Sequence, residues 1–265
     1  MQSIQKLERW FSKFQSAIVA FSGGIDSSLV AFLARRYLGR DKCCAVIGLS
    51  VSVKESDVIL AKEFASAHDI PLRIVETCEI FNPDYAKNPE NRCFHCKSEL
   101  YSKLELVKAE IDFDQIIGGE NIDDRQDYRP GLKAVAEYNI RGPLEECGMT
   151  KNDVRAVARY YNLTCWDKPA SPCLSSRIPY NSPITEEKLM QIDKAEAYMS
   201  KLGFPVSRIR HYGETAKVEV PVEMLEKANE LKENLTIRFR ELGFKNTEID
   251  PEGFVSGKLN RSLKI

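Results

Sequence analysis

A seven-residue turn, Ser22-Gly23-Gly24-Ile25-Asp26-Ser27-Ser28, constrains the fold of this chain more than any other feature. It follows an apolar run at residues 17–21 that is typical of a buried strand, and it leads into a helical pattern. Adjacent glycines allow the backbone to approach a polyanion, and Ser27 with Ser28 can cap the helix, whose free N–H groups favour phosphate. The turn therefore predicts a cradle for nucleotide phosphates. The alternative is an ordinary connection of a strand to a helix through small residues.

Asp26 adds a second constraint to this turn. A bare carboxylate repels phosphate unless a Mg²⁺ ion or the helix N-terminus compensates for its charge. We therefore expect a nucleotide that binds together with Mg²⁺. The sequence of the turn does not match GxxxxGK[ST], which excludes the P-loop of kinases and GTPases.

Strand and helix patterns alternate over the first part of the chain. Strand patterns occur at residues 43–49, 72–75 and 115–119, and helical patterns at 29–38 and 54–68. This alternation predicts an α/β fold with a parallel, doubly wound sheet, in which ligands bind beyond the carboxyl ends of the strands. The Ser22 turn and the segment that starts at Gly118 both follow such strands, so they are expected to line one crevice.

A stretch with four prolines, residues 169–183, shows little periodicity and predicts a loop at a domain boundary. We expect one domain at residues 1–180 and a smaller α+β domain at 181–265. The patterns of the second domain are a helix at 186–202, a hairpin of strands 208–212 and 216–220 around Gly213, and a helix at 221–233.

Composition narrows the classes of partner. The 38 Lys and Arg residues nearly balance 39 Asp and Glu residues, which argues against nucleic acid as the main partner. The N-terminal residues lack a signal-peptide core, and no apolar run approaches the roughly 20 residues that span a bilayer. We therefore expect a cytoplasmic protein without a membrane partner. Eight cysteines without a secretory signal indicate thiol or metal chemistry rather than a disulfide framework.

Cys93 and Cys96 form a CxxC motif between Arg92 and Lys97, whose positive charges favour the thiolate. Several interpretations remain open. The pair fits a zinc site completed by two further ligands, a redox dithiol, or a [4Fe-4S] cluster bound with one distant cysteine. A pair of buried structural cysteines is the remaining alternative.

Cys173 lies in a loop that contains Pro169 and Pro172, and Arg177 follows the thiol four residues later. A stiff loop with a nearby cation suits a reactive or metal-bound thiolate. The other five cysteines lack a CxxC partner or lie in an apolar strand, so they are expected to fill the core. These five are Cys43, Cys44, Cys78, Cys147 and Cys165.

Two further clusters of charge are candidates for binding. The segment 121–131 concentrates three carboxylates, at Asp123, Asp124 and Asp127, with two arginines, which suits Mg²⁺ or an anionic substrate as well as a solvated loop. Arg208 and Arg210 alternate on a predicted strand and so point to one face. They form either a clamp for an anion or a pair of ordinary surface arginines.

With these features on one chain, the sequence resembles the PP-loop (N-type) ATP pyrophosphatases, and among them the LarE family of sulfur transferases of nickel-pincer nucleotide biosynthesis. The resemblance extends over nearly the full length. It rests on SGGIDSS at 22–28, GGENIDDRQDYRPG at 118–131, TKNDVRAVA at 150–158, WDKPASPCLSSRIPY at 166–180 and SRIRHYGETAKVEVP at 207–221. The resemblance implies that ATP adenylates a carboxylate of pyridinium-3,5-biscarboxylic acid mononucleotide, with release of pyrophosphate, before sulfur is delivered to form a thiocarboxylate.

The resemblance implies one of two sulfur sources. In some members a loop cysteine gives up its own sulfur, and in others three cysteines hold a [4Fe-4S] cluster whose free iron carries a sulfide. In this chain Pro172 occupies the sacrificial position and Cys173 follows it, while Cys93 and Cys96 replace residues that are not cysteine in sacrificial members. The pattern favours a cluster bound by Cys93, Cys96 and Cys173.

The family's functional residues carry over by position. The phosphates of ATP and Mg²⁺ are expected at Ser22, Gly23, Gly24, Asp26, Ser27 and Ser28, with adenine near residues 46–49. The positions that resemble the family's substrate site are Lys97, Ser176, Arg177, Glu196, Arg208, Arg210 and Glu219. The resemblance also implies a homo-oligomer, specifically a hexamer.

Two other functions compete with this interpretation. A tRNA thiolase of the same PP-loop class also activates its substrate with ATP, but the near-neutral charge argues against an RNA partner. The second alternative is a non-catalytic nucleotide-binding module in which zinc staples the CxxC motif. Release of pyrophosphate in the presence of the dicarboxylate mononucleotide distinguishes the enzyme from the module.

Overall fold

The computed structural model describes residues 2–126 and 129–263. They divide into two compact units. The first contains the residues up to Glu79 together with Asn91–Ser171, and the second contains Ile80–Glu90 together with the chain from Pro172 onward.

The described helices and strands follow one another as α1 (Gln2–Phe11), β1 (Ala17–Ala20), α2 (Ile25–Leu38), β2 (Cys43–Leu49), α3 (Glu55–Ala67), β3 (Leu72–Glu76), α4 (Pro83–Ala86), α5 (Arg92–Ile111), β4 (Gln115–Ile117), α6 (Gly131–Glu137), α7 (Pro143–Glu146), α8 (Lys151–Tyr160), α9 (Glu186–Lys201), β5 (Arg208–Tyr212), β6 (Thr215–Glu219), α10 (Leu225–Glu230), α11 (Lys232–Glu241) and β7 (Asn246–Ile249). Short 3-10 turns include Ile122–Gln126 and Leu174–Arg177. Among the described residues, no helix is both long and apolar enough to cross a membrane.

The sheet of the first unit has the order β3-β2-β1-β4, and its strands are parallel. The predicted α/β class with a parallel, doubly wound sheet is confirmed. From β1 the chain builds outward to β2 and β3 on one side, and β4 then pairs on the other side of β1. The strand order therefore reverses beside β1, which is the position where sheets of this kind bind their ligands.

Side chains of β1 alternate between two apolar layers, as expected for a strand that is covered on both faces. Ala17 and Val19 pack with Leu29 and Leu33 of α2. Ile18 packs on the opposite face in a cluster with Tyr101 and Leu104 of α5 and Ile116 of β4. Burial of each large apolar side chain contributes about 1.5–3 kcal/mol to folding, so these layers fix β1 at the centre of the sheet.

The second unit has a sheet of order β5-β6-β7, in which β5 and β6 form the predicted antiparallel hairpin. Gly213 in its turn has a φ of 64°, a left-handed conformation that glycine adopts without strain. Strand β7 pairs parallel to β6 and was not predicted. The predicted helix at 221–233 is divided, because α10 ends at Glu230 and α11 begins at Lys232.

The segment 80–90 joins the second unit, although the sequence predicted a single boundary between residues 180 and 181. Two polar side chains account for the difference. The Tyr85 hydroxyl lies 2.6 Å from Ser175 Oγ, and Asn88 Nδ2 donates to the carbonyl of Pro179 at 2.7 Å. The observed division at residues 171 and 172 lies within the predicted proline-rich loop.

A buried histidine on β5 predicts a loss of stability in acid. His211 Nε2 lies 2.8 Å from Gln191 Oε1, and burial, followed by the charge of Lys188, lowers the pKa of His211 to about 4. The unfolded chain takes up this proton near its ordinary pKa of about 6.5. Above pH 6.5 His211 is neutral in both the folded and the unfolded state. Between pH 6.5 and 4 only the unfolded state binds the proton, so the free energy of unfolding decreases as the pH falls.

We expect this residue to account for a decrease of up to about 3 kcal/mol in the free energy of unfolding between pH 6.5 and 4. Urea unfolding of the wild type and of His211→Gln across this range measures the difference, since the carboxylates titrate in both proteins. An equal acid loss in the two proteins would contradict the prediction.

Candidate nucleotide and thiol sites

The turn between β1 and α2 combines a left-handed glycine with a helix start that no described side chain caps. Gly23 has a φ of 69°, and a Cβ added there would lie 2.8 Å from Ala61 Cβ of α3. Gly24 is the N-cap of α2, with no described side chain capping the helix. Because the first N–H groups of a helix have no partner within it, the turn leaves backbone donors for an anion.

Ser27 shapes this turn from within the helix. Its hydroxyl accepts from the Ser22 N–H at 3.2 Å, lies 3.0 Å from the Ser22 hydroxyl, and donates to the Gly24 carbonyl at 3.1 Å. The prediction that Ser27 and Ser28 cap α2 is wrong, because the helix begins at Ile25 and both serines lie in its first turn. Their binding of phosphate stays a prediction.

Asp26 lies between two residues from later parts of the first unit. Asn121 Nδ2 donates to Asp26 Oδ1 at 3.2 Å, and Lys151 Nζ forms an ion pair with Oδ2. Asp123 Oδ2 accepts from the Lys151 N–H at 2.8 Å. The carboxylate of Asp26 remains partly exposed, so an acidic oxygen and an ammonium group stand together beside the helix N-terminus.

The acidic segment after β4 is more ordered than a solvated loop. Asn121 and Asp124 are buried, and the Asn121 N–H donates to Asp124 Oδ2 at 3.1 Å. Arg129 Nη1 lies 2.8 Å from Asp124 Oδ1. Burial raises the pKa of Asp124. The predicted third carboxylate, Asp127, lies outside the described residues.

Gly119 brings β4 against the first turn of α2. A Cβ at this position would lie 2.8 Å from the backbone nitrogen of Ser27 and 3.1 Å from the backbone carbon of Asp26. These atoms belong to the backbone and cannot move aside as a flexible side chain can. Glycine is therefore required here for the segment after β4 to reach the turn.

We expect Gly119→Ala to lower the free energy of unfolding by about 1–3 kcal/mol, because overpacking displaces the first turn of α2. The matched control is Gly142→Ala, where a Cβ would meet its nearest atom at 3.5 Å and cause less than about 1 kcal/mol of change. Urea unfolding measures both values. Equal stability of the two variants would contradict the close approach at Gly119.

The donor set of the turn fits a Mg²⁺-nucleotide. Backbone N–H groups and the Lys151 ammonium suit phosphate oxygens, and Asp26 offers the hard oxygen that Mg²⁺ prefers. Residues 46–49 end β2, the neighbour of β1, so they lie at the same edge of the sheet as the turn. A polyphosphate at this edge would meet positive potential from the helix and from Lys151.

Lys97, on α5, is half-buried beside the buried residues Glu120 and Tyr101 of the first unit. Its Nζ lies 2.8 Å from Glu120 Oε1 and 5.8 Å from the ring centre of Tyr101. Burial disfavours the ammonium, but the Glu120 carboxylate outweighs this effect and raises the pKa of Lys97. Burial also raises the pKa of Tyr101 to about 12. Lys97 is thus held as a cation.

Cys93 and Cys96 lie near the start of α5, three residues apart and hence on one face of the helix. Both are partly exposed, as is Cys173. The first two belong to the first unit and Cys173 to the second, so a shared cluster stays a prediction. Within residues 2–126 and 129–263, no group of three potential metal ligands is found.

The other cysteines only partly match their predicted place in the core. Cys43, Cys44 and Cys165 are buried as predicted, and burial raises the pKa of the Cys43 thiol to about 11. Cys147 is partly exposed. The prediction is wrong for Cys78, which is exposed just after β3.

The guanidinium of Arg177 organises the cysteine loop of the second unit. Arg177 is fully buried, and its Nε and Nη2 donate to the two oxygens of Glu196 at 2.8 and 3.0 Å. Its Nη1 donates to the carbonyls of Pro172 and Cys173 at 2.7 and 3.1 Å and to Ser176 Oγ at 2.7 Å. These bonds set the backbone on both sides of the thiol.

Arg208 and Arg210 are buried on β5, so they are not ordinary surface arginines. Arg210 donates twice to Glu219 Oε2, at 2.9 and 2.8 Å, and its Nη1 donates to the Ser176 carbonyl at 2.7 Å. Arg208 lies over the ring of Phe254 at 5.2 Å. Except for Lys97, the predicted substrate positions thus lie in the second unit, and their contact with substrate stays a prediction.

The sequence analysis did not identify two lysines that lie beside the glycine turn. Lys151 pairs with Asp26, and Lys168 Nζ lies 3.1 Å from both the Gly23 carbonyl and Asp57 Oδ1. Each stands in a segment that was quoted for its resemblance, but neither was singled out. The one local signal was the capping box of Thr150 and Asp153, which fixes the start of α8 and hence the place of Lys151.

Comparisons with known proteins identify the family of this chain. The NAD synthase family model matches residues 4–97. An uncharacterised protein of Synechocystis sp. is 39% identical over 98% of this chain and 97% of its own length. The pyridinium-3,5-bisthiocarboxylic acid mononucleotide synthase of Lactiplantibacillus plantarum is 34% identical over 94% of this chain and 90% of its own length. A GMP synthase of Gloeobacter violaceus is 28% identical over 55% of this chain. The chain therefore belongs to the LarE family of ATP-using, PP-loop sulfur transferases.

Proposed function

We propose that this protein uses ATP to adenylate a carboxylate of pyridinium-3,5-biscarboxylic acid mononucleotide and then converts that carboxylate to a thiocarboxylate. The observation that carries the proposal is the glycine turn at the carboxyl end of β1, beside the point where the strand order reverses. The name of the Lactiplantibacillus plantarum relative supports the substrate class.

The first unit supplies what the adenylation step needs. The substrate carboxylate attacks the α-phosphorus of ATP, and pyrophosphate leaves with the electrons of the bond that breaks. The N–H groups of the α2 first turn and the Lys151 ammonium stabilise the negative charge on the departing pyrophosphate. Asp26 would hold a Mg²⁺ ion, whose charge would favour departure of the pyrophosphate.

The second unit supplies cations for an anionic substrate. A mononucleotide with two carboxylates presents three anionic groups, and arginine matches carboxylate and phosphate geometry with two parallel bonds. Arg210 donates twice to a single oxygen of Glu219, and Arg208 is buried beside Phe254. We infer that Arg208 and Arg210 recognise the substrate, with Ser176 and Glu219 orienting Arg210.

For the sulfur source we propose a [4Fe-4S] cluster held by Cys93, Cys96 and Cys173. Two features support the proposal: the CxxC motif presents two thiols three residues apart on α5, and Arg177 binds the backbone carbonyl of Cys173. A cluster held by these three cysteines would leave one iron able to bind a sulfide. The alternative donor is the sulfur of Cys173 itself.

Two measurements on anaerobically purified protein separate these sources. The first is the content of iron and acid-labile sulfide in the wild type, in Cys93→Ser/Cys96→Ser and in the control Cys78→Ser, which changes an exposed cysteine outside the motif. The second is the mass of the peptide that contains Cys173 after turnover. Loss of hydrogen sulfide from that peptide would overturn the cluster proposal in favour of a sacrificial cysteine.

Pyrophosphate release tests the proposed function. The purified protein is incubated with ATP, Mg²⁺ and the dicarboxylate mononucleotide, and pyrophosphate and AMP are measured together with the mass of the pyridinium product. We expect pyrophosphate release that depends on the mononucleotide. Release that depends on tRNA instead would identify a thiolase, and binding of ATP without release would identify a non-catalytic module. Light scattering tests the hexamer that the resemblance implies.

A further inference from the structure

The segment that leads to Cys173 is anchored to the glycine turn through a side chain of α3. Asp57 lies in the first turn of that helix. Its Oδ1 lies 3.1 Å from Lys168 Nζ, and its Oδ2 accepts from Ser171 Oγ at 2.6 Å. We name the contacts of Asp57 with Lys168 and Ser171 the Asp57 clasp. All of its members belong to the first unit.

The Asp57 clasp also touches the turn itself. Lys168 Nζ donates to the Gly23 carbonyl at 3.1 Å. The backbone carbonyl of Asp57 would lie 3.4 Å from a Cβ added at Gly23, so the start of α3 packs directly against that residue. One ammonium group therefore joins the segment 168–171 to both the turn and α3.

The position of the clasp in the chain suggests a role beyond local stability. Cys173 follows Ser171 by two residues. Pro172 between them and Pro169 before Ser171 restrict the backbone of this segment. On its other side, Cys173 is fixed by the bond from Arg177 to its carbonyl. The thiol thus lies on a short stretch of chain that is anchored before it by Asp57 and after it by Arg177.

We propose that Asp57 is a positioning residue that couples nucleotide binding at the glycine turn to the order of the segment carrying Cys173. The inference rests on the proposed function, since it assumes phosphate at the turn. Phosphate bound at the turn adds negative charge beside Lys168. This charge attracts the Lys168 ammonium and restricts its movement. Asp57 transmits this restraint because it orients Lys168 and binds Ser171 at the same time.

The coupling is reciprocal. If nucleotide steadies the segment by some factor, the ordered segment tightens nucleotide binding by the same factor. Couplings between sites typically change affinity about 5- to 150-fold. Asp57 could instead only stabilise the start of α3, as any acidic residue there does by interacting with the helix dipole. In that case nucleotide affinity and the order of the segment would not depend on each other.

Hydrogen–deuterium exchange with and without α,β-methylene-ATP and Mg²⁺ tests the proposal. The reporters are the amides of residues 22–28 and those of Ala170 and Ser171. The variants are Asp57→Asn and Ser171→Ala. The matched control is Glu55→Gln, which removes an exposed acidic charge from the same first turn of α3.

In the wild type and in Glu55→Gln we expect the analogue to slow exchange at Ala170 and Ser171 at least about fivefold. In Asp57→Asn we expect less than about twofold protection there, and an affinity for the analogue that is weaker by the factor lost. Ser171→Ala should show protection between these two values, because it retains the ion pair of Asp57 with Lys168. This variant also tests the proposal if Asp57→Asn does not fold.

Full protection of the segment in Asp57→Asn would overturn the inference. So would protection of residues 22–28 in the wild type without any change at Ala170 and Ser171, a result that leaves the proposed function standing. Failure of the wild type to bind the analogue at all would overturn both. An equal loss in Glu55→Gln would assign the effect to helix charge rather than to the clasp.

Discussion

Replacing Asp26 by alanine is expected to lower substrate-dependent pyrophosphate release on the order of 10²–10³-fold, the size of effect seen when one electrostatic contact to a transition state is removed. The carboxylate is the acidic group nearest the start of α2, and it faces Asn121 and Lys151. Without it the turn loses its hard oxygen for Mg²⁺. Steady-state kinetics at saturating ATP measures the loss.

A double-mutant cycle with Lys151→Met separates two roles of Asp26. If Asp26 serves only to neutralise Lys151, the double variant should recover activity relative to Asp26→Ala. If Asp26 binds the metal and Lys151 binds phosphate, the double variant should be no more active than either single variant. Wild-type activity of Asp26→Ala would contradict the assignment of the turn as the phosphate site.

Arg177→Met is expected to lower the free energy of unfolding by about 3–5 kcal/mol. Arg177 and Glu196 are both buried, and the substitution leaves the carboxylate without its principal cation. It also removes donors from the carbonyls of Pro172 and Cys173. Urea unfolding at neutral pH measures the effect.

Two comparisons sharpen this measurement. Arg240→Met, which changes an exposed arginine of α11, should shift stability by no more than about 0.5 kcal/mol. The double variant Arg177→Met/Glu196→Leu should recover part of the loss, because no buried charge is left unpaired. Recovery should be incomplete, since Glu196 Oε1 also accepts from the Ile209 N–H at 3.1 Å. A loss below about 1 kcal/mol in Arg177→Met would contradict the buried ion pair.

Several elements followed from local sequence alone. Strands β2 and β5 have the predicted limits, Cys43–Leu49 and Arg208–Tyr212. An uninterrupted apolar run allows little other than a strand buried on both faces, and a hairpin is set by its turn. Helix α2 begins at Ile25, before the predicted Leu29, because polar residues in its first turn resemble a continuing loop.

Other elements depended on contacts that local sequence does not carry. Strand β7 has two polar and one acidic residue among its four, and it is held as a strand by pairing with β6. The transfer of segment 80–90 to the second unit depends on Tyr85 and Asn88, whose partners lie about 90 residues away. The secondary-structure propensity of a segment does not indicate such long-range pairings.

The sequence by itself determined the parallel sheet, the glycine turn after its central strand and the membership of the LarE family, because these depend on periodicity and on motifs that are continuous along the chain. Only the tertiary structure decided which charges meet. Lys151 pairs with Asp26, which lies 125 residues earlier in the chain. Arg177 donates hydrogen bonds to Glu196 and to two backbone carbonyls, those of Pro172 and Cys173. The physical reason is that a charged side chain has no local preference for its partner, and its pairing is set by which elements the packed core brings together.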